Sequence, residues 1–179
     1  MTIDTNDLLF GFVWNYHFLR IEGEMVKYST TWTHRLLGYF DTLGRLLGHL
    51  VILEKERYDL GWWDNSTLFL HVEHENKQSF DRIVNQTLLK KLFPSEAKLG
   101  IGICYPKSSD LFEEIIEYVE DYKGEISPDE VLLILDGHAF KKDEIPFVTL
   151  TYKKGDTWKK QNFLKTIAPD DFYCIQLAQ

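Results

Sequence analysis

Apolar residues recur along this chain at two spacings, which divide most of it into helices and strands. Three stretches repeat apolar residues every three or four positions, as helices with one buried face do. These helices are predicted from Thr30 or Thr31 to about Leu50, from Ser79 to about Leu92, and over residues 108–122. Pro94 ends the second helix. The first thirty residues fit short strands or a helix equally well.

Five further stretches have the composition and length of β-strands. The strands are predicted at Val51–Asp59, Leu68–Lys77, Leu99–Tyr105, Val131–Leu135 and Phe147–Tyr152, with a turn at residues 61–65. Two of them are almost continuously apolar, which is typical of strands covered on both faces. The order of elements therefore predicts an α/β layer fold, in which an antiparallel pair leads into a sheet that becomes parallel through helical crossovers.

Composition narrows the class of protein. The chain has 179 residues, of which 44% are hydrophobic and 15% aromatic, so we expect one folded domain over residues 1–179 rather than disorder. No stretch approaches the roughly 18 uninterrupted apolar residues of a membrane span, and the N-terminus lacks the basic start of a signal peptide. Cys104 and Cys174 lie in apolar runs and are predicted to be buried free thiols. We therefore expect a cytoplasmic protein without a membrane partner.

Charge is distributed unevenly along the chain. The net charge is −8, which argues against binding to nucleic acid. The segment from Lys141 to Lys165, however, contains seven lysines and three acidic residues, which leaves a local excess of four positive charges. A solvated face is the simpler explanation of this segment. The alternative is a contact surface for an anionic substrate.

The strand predicted at Leu68–Lys77 carries the main candidate chemistry. Successive side chains of a strand point to opposite faces, so four polar residues share one face with Phe69: His71, Glu73, Glu75 and Lys77. Two carboxylates one pleat repeat apart repel each other unless a positive charge lies between them. A divalent cation would supply that positive charge, with Asp59 as a third oxygen ligand. A solvated, half-buried edge strand with local ion pairs is the alternative. His74 lies on the apolar face and is predicted to be a core histidine.

These acidic residues and the order of elements resemble the restriction-endonuclease-like fold, the PD-(D/E)xK nuclease superfamily. Asp59 matches the first acidic residue of the family motif, although Tyr58 replaces the preceding Pro. The second half of the motif aligns in two ways. Glu73-His74-Glu75 matches the variant that ends in Glu, and Glu75-Asn76-Lys77 matches the standard acid-x-Lys form. The resemblance covers about residues 31–152 and implies a mixed β-sheet flanked by helices.

The resemblance also implies hydrolysis of phosphodiester bonds in nucleic acid, with DNA as the expected substrate. Asp59, Glu73 and Glu75 would hold Mg²⁺ or Mn²⁺ through hard oxygen ligands. Lys77 or Glu75 would orient or deprotonate the attacking water. Substrate contacts are expected from His71 and from four lysines of the basic segment: Lys153, Lys154, Lys159 and Lys160. Such an enzyme could work as a homodimer.

Two other functions remain open. A non-catalytic interaction or regulatory protein could retain the same fold, which the acidic net charge favours. Hydrolysis of a small phosphate compound would use the same carboxylates. Among the remaining residues, Asp136 is predicted to lie in a turn. Trp62 and Trp63 are predicted either to pack in the core or to stack on an unpaired base.

Overall fold

A single mixed β-sheet, covered by helices on both faces, forms the framework of the protein. The computed structural model describes residues 3–16, 29–55, 58–76, 79–137, 144–167 and 173–177. Within these residues the sheet has eight strands, whose spatial order follows their order in the chain. The strands are β1 Leu50–Lys55, β2 Tyr58–Asp64, β3 Thr67–Glu75, β4 Leu99–Cys104, β5 Glu130–Asp136, β6 Glu144–Lys153, β7 Lys159–Ile167 and β8 Tyr173–Leu177.

Parallel pairing is confined to the middle of the sheet. Strands β3, β4 and β5 run parallel, and every other neighbouring pair is antiparallel. A helix connects β3 to β4 and another connects β4 to β5, because parallel neighbours need a crossover. The predicted α/β class, with an antiparallel start and a parallel centre reached through helices, is confirmed.

The helices lie two on each face of the sheet. Helix α1, Thr5–Tyr16, and helix α2, Ser29–Leu46, pack on the face that carries Leu70 and Val72. Helix α3, Asp81–Leu92, and helix α4, Ser109–Asp121, pack on the opposite face. None of the helices described is long and apolar enough to cross a membrane.

Local capping signals decide where two of these helices begin and end. Helix α4 begins as predicted at Ser108, whose hydroxyl oxygen accepts the Leu111 N–H at 3.3 Å. Helix α2 ends four residues before the predicted Leu50. There the N–H of His49 bonds to the carbonyl of Gly44 and the N–H of Gly48 bonds to that of Arg45. Gly48 has a φ of +87°, which glycine adopts without strain, so this Schellman arrangement stops the helix.

The predicted boundaries of the first strands were wrong. Residues 51–59 are not one strand, because Asp59 belongs to β2, which pairs back on β1. The predicted turn at residues 61–65 lies mostly inside β2, and the chain turns instead at Asn65 and Ser66, where Asn65 has a φ of +56°. Trp62 holds this segment in the sheet, since it is fully buried and donates its indole N–H to the carbonyl of Phe40 at 2.9 Å. Aromatic residues suit such a buried strand position.

Strands β7 and β8 were not predicted. Strand β7 begins with the exposed residues Lys159–Asn162, so it lacks the apolar alternation that marks a strand in sequence. Pairing with β6 rather than a local pattern stabilises it.

Helix α3 lies close to the sheet beside β3. It is π-helical, a rare form that is often found at functional sites, and the N–H of Phe93 extends its bonding to the carbonyl of Leu88. Glycines on β4 allow the helix to lie this close to the sheet. A Cβ atom on Gly102 would lie 2.8 Å from a methyl carbon of Leu133 and 3.1 Å from one of Leu92. Residues of α3 therefore reach the strand next to β4, which is the acidic strand β3.

Candidate active site

The β2–β3 hairpin brings Asp59 next to the acidic end of β3. Leu60 pairs with Val72 in this antiparallel ladder, so Asp59, one residue earlier, lies beside Glu73. The Asp59 carboxylate also accepts the backbone N–H of His74 at 2.6 Å. Because β3 continues to Glu75, the three predicted acidic residues come together at one end of the hairpin.

Burial and like charge both act on Asp59. They raise the pKa of its carboxyl group from 3.8 to about 6. Burial contributes most, the charge of Glu73 comes next, and Glu75 adds a smaller effect. The His74 N–H and the Lys91 ammonium act in the opposite direction. The ionised form of Asp59 is therefore costly in this site unless more positive charge is present.

Glu73 is buried and held at both carboxylate oxygens. Its side chain is 2% exposed. Oε1 lies 2.8 Å from Nε2 of His71, which is itself fully buried, and Oε2 lies 2.6 Å from Nζ of Lys91. The alternative of a solvated edge strand does not hold, because β3 lies inside the sheet and α3 packs on its acidic face. Glu73 is thus a fixed, desolvated carboxylate and not part of a solvated face.

Glu75 receives its contact from the same helix. The hydroxyl group of Thr87 lies 3.2 Å from Oε2 of Glu75 and 2.9 Å from the carbonyl oxygen of Arg82, to either of which it can donate. Thr87 and Lys91 are four residues apart on α3, and Glu75 and Glu73 are two residues apart on β3. The helix therefore contacts two neighbouring carboxylates of the strand at once.

Lys91 was not among the predicted site residues, although within the described residues it is the lysine that contacts the acidic face of β3. Burial opposes its charge, but the hydrogen bond that it donates to Glu73 and the charges of Glu73, Asp59 and Glu75 together raise its pKa above 10.5. Lys77, the lysine of the predicted motif, lies outside the described residues. The position of Lys91 in the helix that directly follows the acidic strand is a feature of the sequence that could have indicated this contact.

Two residues next to the carboxylates, His74 on β3 and Cys104 on β4, are buried. The ring of His74 packs edge-on against Tyr105, with Nε2 2.9 Å from the phenol oxygen, which confirms it as a core histidine. Cys104 pairs with Glu75 in the β3–β4 register and is a buried free thiol, as predicted. Burial, with the charges of Glu75 and Glu73, raises its pKa, so this thiol stays protonated. The side chain of Cys174 lies outside the described residues.

The four lysines predicted to bind substrate lie in β6, in β7 and in the turn between them, three to four strands away from the acidic strand β3. Lys153 pairs with Glu130 at the start of β5, whereas Glu75 lies near the end of β3. Strand spacing and rise per residue place the two regions roughly 20 Å apart. The exposed lysines also have partners, since Lys153 lies 3.3 Å from Glu130 and Lys159 lies 3.7 Å from Asp156. The structure does not bring these lysines to the acidic site.

Asp136 does not lie in a turn as predicted. It ends β5, is fully buried, and accepts a hydrogen bond from the fully buried Lys165 at 2.5 Å. Of the two tryptophans, Trp62 is a core residue, while Trp63 is partly exposed on the same face of β2 as Asp59.

The chemistry of the carboxylates suits Mg²⁺ or Mn²⁺, which bind hard oxygen ligands. As they stand, no three His, Cys, Asp or Glu side chains in the described parts of the chain are arranged to hold a metal ion. A cation already contacts the cluster, however, because the Lys91 ammonium lies against Glu73. The carboxylates can therefore bind a cation, and in this structure the Lys91 ammonium supplies the positive charge.

Comparison with known proteins assigns no family to the chain. No protein-family model matches it, and no curated protein matches it either.

Proposed function

We propose that this protein hydrolyses phosphodiester bonds in DNA with the help of Mg²⁺ or Mn²⁺, on a restriction-endonuclease-like fold. The observation that carries the proposal is the burial of Glu73 beside Asp59, with Glu75 on the same face, at the end of a rigid hairpin. Desolvated carboxylates this close together are costly to keep without a ligand, and such costs are typical of functional sites.

In this proposal Asp59, Glu73 and Glu75 hold the metal ion, which supplies a Lewis acid for the scissile phosphate. The protein's own contacts orient these ligands. His71 fixes Glu73, Thr87 contacts Glu75, and the backbone of His74 fixes Asp59. Glu75 occupies the last position of the Glu73-His74-Glu75 motif and would orient or deprotonate the attacking water. Lys77 would act in that role under the alternative alignment.

The position of the basic segment bears on the class of substrate. Lys153, Lys154, Lys159 and Lys160 are exposed and lie roughly 20 Å from the acidic residues. A small phosphate compound could not contact both regions, whereas a nucleic acid is long enough to do so. In this proposal the lysines contact the substrate only if it is a polymer of that length.

The test is cleavage of supercoiled plasmid and of single-stranded DNA in Mg²⁺, Mn²⁺ or EDTA. We expect metal-dependent cleavage that Glu73→Gln lowers by at least about a hundredfold, while Glu117→Gln, an exposed glutamate on α4, leaves it unchanged. Circular dichroism and thermal melting check that both variants fold. A folded Glu73→Gln protein that cleaves as fast as the wild type would refute the assignment.

The Lys91–Glu73 ion pair also favours a second candidate, a non-catalytic interaction protein. In such a protein the lysine would neutralise the cluster permanently and no metal would be needed. Mn²⁺ separates the two candidates, because a ligand that binds the folded state raises the melting temperature by mass action. A catalytic site should show a saturable rise, and a permanently neutralised cluster should show none.

A further inference from the structure

We propose that Lys91 is a displaceable internal counter-ion: in the metal-free protein it occupies the cation position of the carboxylate cluster, and a divalent metal must displace it from Glu73. The identity of the displacing ion rests on the proposed function. The role of Lys91 in the metal-free state rests on the contacts alone.

The contact geometry makes the lysine and a metal ion competitors. Both carboxylate oxygens of Glu73 have positively polarised neighbours, His71 at Oε1 and Lys91 at Oε2. A metal ion bound to Oε2 would lie about 2.1 Å from it, while the Lys91 ammonium lies 2.6 Å from the same oxygen. Two cations on one oxygen would be only about 4 Å apart, a distance at which their repulsion is strong.

Lys91 is the partner that can leave. Its side chain is 36% exposed, whereas Glu73 is 2% exposed and His71 is fully buried. A lysine carries a point charge on a flexible stem and has no fixed bonding geometry. The ammonium group can therefore move into solvent while the carboxylate stays in place.

Lys91 interacts electrostatically with all three carboxylates of the cluster and not with Glu73 alone. The Lys91 ammonium lies against Glu73, which is next to Asp59 and on the same face of β3 as Glu75, so it attracts all three negative charges. Loss of this cation would leave the repulsion among the three carboxylates at this end of the β2–β3 hairpin less well offset. The metal-free fold should therefore depend on Lys91.

The experiment compares wild type with Lys91→Gln, Lys91→Arg and Lys90→Gln. Lys90 is the exposed neighbour on the same helix and serves as the matched control. Thermal melting in EDTA measures the metal-free state, and calorimetric titration with Mn²⁺ measures binding. We expect Lys91→Gln to melt about 3–8 °C lower in EDTA, to bind Mn²⁺ on the order of tenfold more tightly, and to regain stability as Mn²⁺ binds. Lys91→Arg and Lys90→Gln should behave like the wild type.

The outcomes separate this inference from the proposed function. Equal Mn²⁺ affinity in wild type and Lys91→Gln overturns the inference while leaving a metal-dependent function intact. Binding by Lys91→Gln but not by the wild type supports the inference and contradicts a metal-dependent wild-type enzyme. If neither protein binds Mn²⁺, the proposed function is refuted, and an unchanged melting temperature of Lys91→Gln in EDTA overturns the counter-ion role as well.

A Lys91→Gln protein that does not fold in EDTA is tested through the double variant Glu73→Gln/Lys91→Gln, which removes both charges of the pair. Recovery of folding in the double variant supports charge repulsion as the cause. Continued failure to fold overturns the inference, because the loss would then come from packing.

Discussion

Replacing Lys165 by methionine should destabilise the protein by about 3–5 kcal/mol, because it leaves the carboxylate of Asp136 buried without its ammonium partner. Both side chains are fully buried, and the nitrogen and oxygen atoms are 2.5 Å apart. Methionine retains much of the apolar stem of lysine, so most of the effect should come from charge. Since a domain of this kind is stable by only about 5–15 kcal/mol, the loss should be large.

Urea unfolding at neutral pH measures this loss, and Lys153→Met provides the matched control. Lys153 also pairs with a carboxylate, that of Glu130, but its side chain is 70% exposed. Its replacement should therefore cost no more than about 1 kcal/mol. The comparison tests whether burial, rather than the presence of an ion pair, sets the magnitude.

The double variant Asp136→Leu/Lys165→Met should be far more stable than Lys165→Met alone. Burial lowers the pKa of Lys165 even though Asp136 lies against it, so the attraction does not fully offset the desolvation of the ammonium group. Two apolar residues remove that cost together with the attraction. If Lys165→Met costs no more than Lys153→Met, the buried pair is not the stabilising element inferred from the structure.

Two further predictions concern packing and pH. Gly102→Ala should destabilise the protein by about 1–3 kcal/mol, since its methyl group would meet Leu133 at 2.8 Å. Gly38→Ala in helix α2, where none of the described residues lies within 4 Å of the added methyl group, should stabilise the protein by about 0.5–1 kcal/mol. Urea unfolding that ranks the two variants equally would contradict this. Burial raises the pKa of Tyr39 from 10.0 to about 12, so its contribution is complete below pH 10 and is lost as the pH rises toward 12. Unfolding at pH 8 and pH 11 should show a smaller loss of stability in Tyr39→Phe than in the wild type, and an equal loss would contradict the assignment.

Patterns within one element could be predicted from the sequence. The alternation along β3 placed His71, Glu73 and Glu75 on one face, and the spacing of apolar residues located α2, α3 and α4. A capping serine located the start of α4. These features are local, because the period of a helix or a strand is a property of consecutive residues. The α/β class followed from the order of the elements for the same reason.

Contacts between elements could not be predicted in this way. Asp59 lies in β2 and not at the end of the predicted first strand, because the aromatic residues of the predicted turn belong to the sheet, where Trp62 is buried and bonds to the carbonyl of Phe40. Its position beside Glu73 depends on the register of the hairpin. The pairing of Asp136 with Lys165 joins residues 29 positions apart, and nothing in either local pattern indicates it.

The alternation of residues along β3 is enough to show which carboxylates share a face, whereas the charges around those carboxylates depend on the fold. The covering of β3 by α3 desolvates Glu73 and brings Lys91 and Thr87 to it. That arrangement follows from the crossover between parallel strands and from glycines on β4 that let the helix approach. Burial, charge and pKa depend on neighbours in space, whereas a sequence pattern records only neighbours along the chain.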